Sequence, residues 1–336
     1  SNQRLFEATA AKLRQRVGHT SFKKVKGHSG DEGNEGADQK ANEGAHKAVP
    51  DELDITVPKE LKVTGAKLSS MTQSTLYKGV LYRVVKEERR RTRTNLDLIR
   101  HAVHDQFHIL PTDETIWASF RNRDISRNIR SFMWRATHES YKCGKYWLNI
   151  PGYEERATCS QCDVTETMSH ILVECPASGQ ETIWKLARGL LEAKGIEWWE
   201  PTLGGILGCA MADTRNETGR KLPGHNRLYR IVISESMHLI WRLRCEWRIQ
   251  RDSNPQKKHT TNEIENRWTW IIDNRIKLDC TLTNHKVYGK KSLNSKRVFS
   301  TWNGVLENER DLPRNWANFT GVLVGIRARR PPGRNR

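Results

Sequence analysis

The chain has 336 residues, with 57 lysines and arginines against 39 aspartates and glutamates, a net charge of +18 and a pI near 9.8. Hydrophobic residues make up 36% and there are 12 tryptophans, enough apolar material to build cores and to exclude a wholly disordered chain. The cationic excess points to polyanionic partners, nucleic acid first, because no apolar stretch approaches the roughly 20 residues that span a bilayer and no membrane partner is expected.

The elements follow in chain order. Leu5, Phe6, Ala10, Leu13 and Val17 recur at helical spacing, which predicts a helix from Asn2 to about Val17. Ser21 to Lys26 reads as one strand, followed by a glycine-rich loop. Asn34 is placed to cap a helix from about Glu35 to Lys47, with Ala37, Ala41 and Ala45 on one side. Pro50 and Pro58 bracket an acidic linker. Beyond Gly65 the pattern is helical: near Leu76 to Glu88, Leu96 to Phe107, Glu114 to Phe120, Ser126 to Trp147 and Ile183 to Lys194, with two long helices from about Asn226 to Gln250 and Thr261 to Leu278. Gly204 to Gly208 is expected to be a loop, and Arg327 to Arg336 a basic, unstructured tail. No internal repeat is present. The fold class expected is mainly α, with a short helix–strand–helix α/β piece ahead of helical domains. The expected divisions are residues 1–48, a linker 49–65, a helical metal-binding domain 66–195, a helical region 196–326 and the tail 327–336.

The seven cysteines are an odd number. Three cluster with a histidine and Cys143, Cys209, Cys245 and Cys280 are scattered, which suits a reducing compartment better than a disulfide framework. With no signal-peptide pattern, an intracellular protein of nucleus or cytoplasm is expected. The chain begins with Ser1, so a piece of a longer polypeptide is expected.

Two motifs carry chemistry. In the run from Val25 to Asp38, His28 lies in a loop with Gly27, Gly30 and Gly33, Asn34 precedes a helix, and Asp38 lies near its start. The order and spacing resemble the last strand and last helix of type 1 ribonuclease H in the glycine-rich style of retroelement enzymes. The resemblance implies that Asp38 binds one of two Mg²⁺ ions, that His28 assists proton transfer and product departure, and that Asn34 holds the nucleic-acid strand. The chemistry would be two-metal hydrolysis of RNA in RNA–DNA hybrids, for which hard Mg²⁺ takes carboxylate ligands. The family's other three metal-binding carboxylates lie upstream of this segment, and Glu7 is the one acid before the expected strand. The chain alone is therefore expected not to cleave a hybrid.

The second motif is Cys159, Cys162, His170 and Cys175, a C-x2-C-x7-H-x4-C pattern. Three thiolates and one imidazole make a closed tetrahedral set suited to a structural Zn²⁺. With Arg130 to Arg135 ahead of it and Glu174-Cys175-Pro176 at its end, it resembles the zinc-binding module downstream of reverse transcriptase and ribonuclease H in non-LTR retrotransposons, over about Leu96 to Lys194. That resemblance implies help in holding template or target nucleic acid, hybrid or single strand, and a reverse transcriptase upstream in the same polyprotein of fungal type. The alternatives are a stand-alone nucleic-acid-binding protein and an inactive transposon remnant.

Weaker features admit two readings. Phe132, Trp134, Tyr141, Tyr146 and Trp147 interleave with Arg130, Arg135, Lys142 and Lys145, as in single-strand grips, but large aromatics at helical spacing are more often core. Trp241, Trp247, Trp268 and Trp270 are expected to pack the two long helices together, leaving Arg242, Arg244 and Arg248 on a solvated face. The runs from Lys86 to Arg93 and Arg327 to Arg336 suit either solvated charge or phosphate contact.

Overall fold

A computed structural model describes residues 2–25, 27, 30–62, 71–83, 89–319 and 321–325. His28 and the tail from Arg327 to Arg336 lie outside the described residues, as does the part of the upstream basic run at 86–88. The chain divides into two compact units, Ser1–Lys86 and Glu87–Arg336.

The first unit holds α1 (Gln3–Gln15), α2 (Glu32–Ala45) and α3 (Gln73–Arg83). Residues 21–25 form no strand, contrary to the sequence expectation. An extended segment becomes a strand only when a neighbour pairs with its N–H and C=O groups. The isolated bridges among the described residues all lie beyond residue 157. Among the described residues the expected helix–strand–helix is thus two helices. The cap of α2 also differs: Asp31, not Asn34, occupies the N-cap, its Oδ1 accepting from the backbone N–H of Asn34 at 3.0 Å. A carboxylate two residues ahead of the glycine reaches the N3 amide directly, so the helix starts earlier and Asp38 falls in its second turn. No α2 residue is buried.

The second unit is helical around one apolar core running from Leu96 to Val324. It comprises α4 (Arg90–Phe107), α5 (Asp113–Ser119), α6 (Arg127–Thr137), α7 (Gln180–Ala193), α8 (Leu203–Gly208), α9 (Pro223–Cys245), α10 (Thr261–Leu282), α11 (His285–Tyr288) and α12 (Ser295–Trp302). The boundary expected near residue 195 falls inside this unit, because α7 packs on both α9 and α10. Helix α9 is its axis: it touches α6, α7, α8, α10 and α12, and it buries residues on every side.

Two helices differ from their sequence outline. The helix expected to continue to Trp147 ends at Thr137, and a 3₁₀ turn from Gly144 to Asn149 follows. Glu139 and Gly144 both have positive φ, and a side chain at Gly144 would come within 2.8 Å of the Glu166 carbonyl. The expected loop at Gly204 to Gly208 is instead the helix α8, capped by Thr202 and laid against α4. A methyl on Gly204 would overlap the Leu98 carbonyl, and one on Gly208 would come within 2.6 Å of Val103 Cγ2. These glycines serve close backbone approach rather than chain reversal.

A buried polar network joins four segments. Arg227 of α9 donates Nε to Asp124 Oδ1 at 2.9 Å, and Nη1 and Nη2 to Asp279 of α10 at 2.5 and 2.8 Å. Trp302 of α12 donates Nε1 to Asp279 Oδ2 at 2.7 Å, and Arg230 and Arg297 add donors to Asp124. Burial alone would push the Asp124 carboxyl up, but Arg227, Arg230 and Arg297 outweigh it and hold it below the ordinary carboxylate range. The tryptophans divide. Trp268 is buried and donates to Ser236 of α9 at 2.9 Å, as the expected helix pairing requires, whereas Trp270 is 66% exposed.

Replacing Arg227 by Ala should cost about 3–5 kcal/mol in urea unfolding, because it leaves the buried Asp279 carboxylate without a cation and takes one of three from Asp124. The same change at exposed Arg188, paired with Glu192, should cost under about 1 kcal/mol. A carboxylate depressed in the folded state stabilises above its unfolded pKa and loses that contribution as pH falls through its folded value. Stability should therefore fall in acid below about pH 4, and Asp124→Asn, though less stable at neutral pH, should show a shallower fall.

Candidate metal centre

The four residues of the Cys/His motif converge: their ligand atoms all lie within 4.8 Å of one another. Cys159 Sγ is 3.6 Å and Cys162 Sγ 3.9 Å from Cys175 Sγ. A tetrahedron with metal–sulfur bonds of about 2.3 Å has edges of about 3.8 Å, so the spacing fits a single ion. All seven cysteines are free thiols.

Local backbone chemistry places each ligand. Cys159 and Cys162 sit on a tight hairpin in which the Cys162 and Asp163 amides donate to the Cys159 carbonyl at 3.3 and 2.9 Å. Asp163 takes a left-handed conformation, and Thr158 bridges antiparallel to Thr165. The second half is a π-type turn from His170 to Glu174, closed by the Cys175 amide on the His170 carbonyl at 2.7 Å. The four residues between His170 and Cys175 therefore form one wide turn, which brings imidazole and thiol together; such turns recur at functional sites. Ile171 and Leu172 of that turn are fully buried and anchor it in the core.

His170 supplies the observation that tests the fit. It is buried, and its Nε2 has no hydrogen-bond partner. Its Nδ1 lies 3.6 Å from Glu174 Oε2, and Ser169 Oγ holds the other carboxylate oxygen at 3.1 Å. A carboxylate beside one ring nitrogen orients the imidazole so that the other nitrogen can meet a metal. One thiol is primed as well, while burial raises the pKa of Cys162. The hydrogen bond with Cys175 lowers the Cys159 pKa to about 4 against the opposing effect of burial, and raises that of Cys175, so the pair gives up its first proton readily.

The walls of the site come from the end of α9, a contribution that sequence reasoning missed. Arg244 is buried, not solvated as expected: its Nε donates to Glu166 Oε1 at 2.9 Å and its Nη2 to Glu166 Oε2. Arg248 donates to the Thr158 carbonyl at 3.0 Å, the Arg156 carbonyl at 3.3 Å and Ser160 Oγ at 3.4 Å, bracing the cysteine hairpin. Trp247 packs on Cys159 and Cys175 rather than pairing the long helices. Trp241, Arg244 and Arg248 stand three and four residues apart on one helical face. That spacing was the available signal, but its partners lie far away in sequence.

Asn34 and Asp38 of the first motif form no comparable centre among the described residues. Asp38 is exposed, with Oδ2 3.5 Å from Asn34 Nδ2. Among the described residues the Cys/His group is the one set of three or more potential ligands, and Asp38 is not in it. No helix among the described residues is long and apolar enough to cross a membrane. No family model, no curated protein and no solved structure matches the chain.

Purified protein should hold one metal ion per chain by elemental analysis. Chelation or Cys162→Ser should lower the melting temperature of the second unit by several degrees. Glu174→Ala should weaken metal affinity about 10- to 100-fold while the apo protein melts as before.

Proposed function

We propose that the chain is a zinc-ordered nucleic-acid-binding protein. The single observation that supports this best is the buried Cys₃His set, with its orphaned His170 nitrogen, inside a chain of net charge +18. The ligand chemistry favours zinc: three soft thiolates and one imidazole at tetrahedral spacing leave no open coordination position, so the ion would be structural. Cys159, Cys162, His170 and Cys175 would hold it. Bound there, it would tie the cysteine hairpin to the π-type turn and contribute folding energy to a loop-rich region. The cationic excess supplies affinity for a polyanion through counterion release.

We further propose that the chain belongs to a retroelement polyprotein, in which a longer parent would use Asp38 and His28 in Mg²⁺-dependent hydrolysis of RNA–DNA hybrids. This reading rests on the spacing of His28, Asn34 and Asp38, with a lone exposed carboxylate at position 38. One aspartate cannot hold two Mg²⁺ ions, so binding without cleavage is the activity expected of this chain.

The metal-loaded chain should bind a labelled oligonucleotide, and the affinity should fall steeply as salt rises from 50 to 200 mM. Incubation with an RNA–DNA hybrid and Mg²⁺ should give no cleavage. Salt-insensitive or absent binding would remove the nucleic-acid reading; cleavage abolished by Asp38→Asn would reinstate an enzyme.

A further inference from the structure

Beside the metal centre lies an open groove of about 1090 Å³, one wall of which is the cysteine hairpin at Cys159 and Ser160. Its other walls are the segment after α6 and the end of α9. Two aromatic surfaces face it. Tyr141 and Trp241 stand with ring centroids 4.4 Å apart, both half-buried and backed by Phe132 of the core. Trp147 forms the second, its Nε1 fixed on the Lys142 carbonyl at 2.9 Å.

The cations of the groove divide into two kinds. Arg244 and Arg248 are committed to Glu166 and to the hairpin. Arg135, Lys142 and Arg156 are exposed, and among the described residues none has a carboxylate partner. They are nevertheless held in place on aromatic rings. Arg156 lies 5.2 Å from the Trp147 centroid and 4.7 Å from that of Tyr153, Arg135 lies 6.0 Å from that of Tyr141, and Lys142 lies 5.7 Å from that of Tyr146. Positioned positive charge free of a direct ion pair is available to a phosphate chain. Glu155, Asp163 and Asp252 also line the groove. They repel any polyanion alike, but the base amino groups of a nucleic acid give these carboxylates donors that the acidic side chains of a peptide lack. The aromatic faces decide between strand states, because a duplex hides its base faces and an unpaired strand presents them.

We infer that this groove is the binding site for single-stranded nucleic acid, with bases on Tyr141, Trp241 and Trp147 and phosphates on Arg135, Lys142 and Arg156. The inference rests on the nucleic-acid reading above and adds the place and the strand state. It also makes the metal centre a structural wall of the site: the hairpin that carries two ligands is the same one that closes the groove.

The test uses the full metal-loaded chain and a labelled single strand of about 12 nucleotides, a length within the range such sites cover. Replacing Arg135, Lys142 and Arg156 together by Gln should lower the slope of log Kd against log salt by about 2, since each lost phosphate contact on a single strand contributes about 0.7. Replacing Lys286, Lys290 and Lys291, exposed and outside the groove, removes the same charge and should leave the slope near its starting value. Trp147→Ala should weaken binding about tenfold and Trp147→Phe should restore most of it, with metal content and melting unchanged. Equal effects of the two triple variants, duplex binding as tight as single-strand binding, or displacement by polyglutamate as effective as by unlabelled strand would each overturn the groove assignment while leaving nucleic-acid binding intact. Failure of the unmodified chain to bind any strand would overturn both readings. The triple variants touch only exposed side chains, so the comparison stands even where Trp147→Ala does not fold.

Discussion

The ion pair between Arg244 and Glu166 joins two parts of the second unit that have no local reason to meet. Both side chains are buried, and the contact is bidentate, so it supplies direction as well as charge neutralisation. Glu166 lies between the cysteine hairpin and His170, and Arg244 lies in the last turn of α9. The pair therefore sets where the hairpin stands relative to the π-type turn, which in turn sets whether four ligands can share one ion. Arg248, one turn further on, braces the hairpin from the same element. At the other end of α9, Arg227 does similar work among Asp124 and Asp279. Buried pairs of this kind add little net stability compared with apolar packing, but breaking one leaves a stranded charge, and wrong packings do just that.

Around this axis, ordinary apolar burial supplies the bulk of the folding energy, and small residues govern distance. Gly204 and Gly208 let α8 lie directly on α4, and Gly224 lets α9 reach the backbone of α12 at Ser300. The metal region is the exception. Apart from Trp247 and Ala177, its buried cluster consists of the cysteines themselves, so an ion would do there what leucine and isoleucine do elsewhere. The first unit has a different character. Its helix α2 buries nothing and α1 buries only Ala8 and Ala11, while Phe6 and Phe22 remain exposed.

Much of this was legible in the residues. The long helices α9 and α10 and the convergence of Cys159, Cys162, His170 and Cys175 rest on short-range rules of spacing and side-chain reach. The errors share one cause. The segment from Ser21 to Lys26 reads as a strand from its composition, yet a strand exists only through a partner. The glycines at 204–208 read as a loop because conformational freedom and close packing use the same residue. Arg244 read as solvated because its partner stands far away in sequence.

The sequence by itself therefore determined the helical class, the four residues that could hold a metal ion and the sign of the net charge, since each depends on residue type at close spacing. Tertiary structure decided which arginines are structural and which stay unpaired, that residues on both sides of position 195 share one core, and that the cysteine hairpin borders an aromatic, cationic groove. Those features depend on which distant segments meet, and α9 brings them together through buried charges whose partners no local pattern reveals.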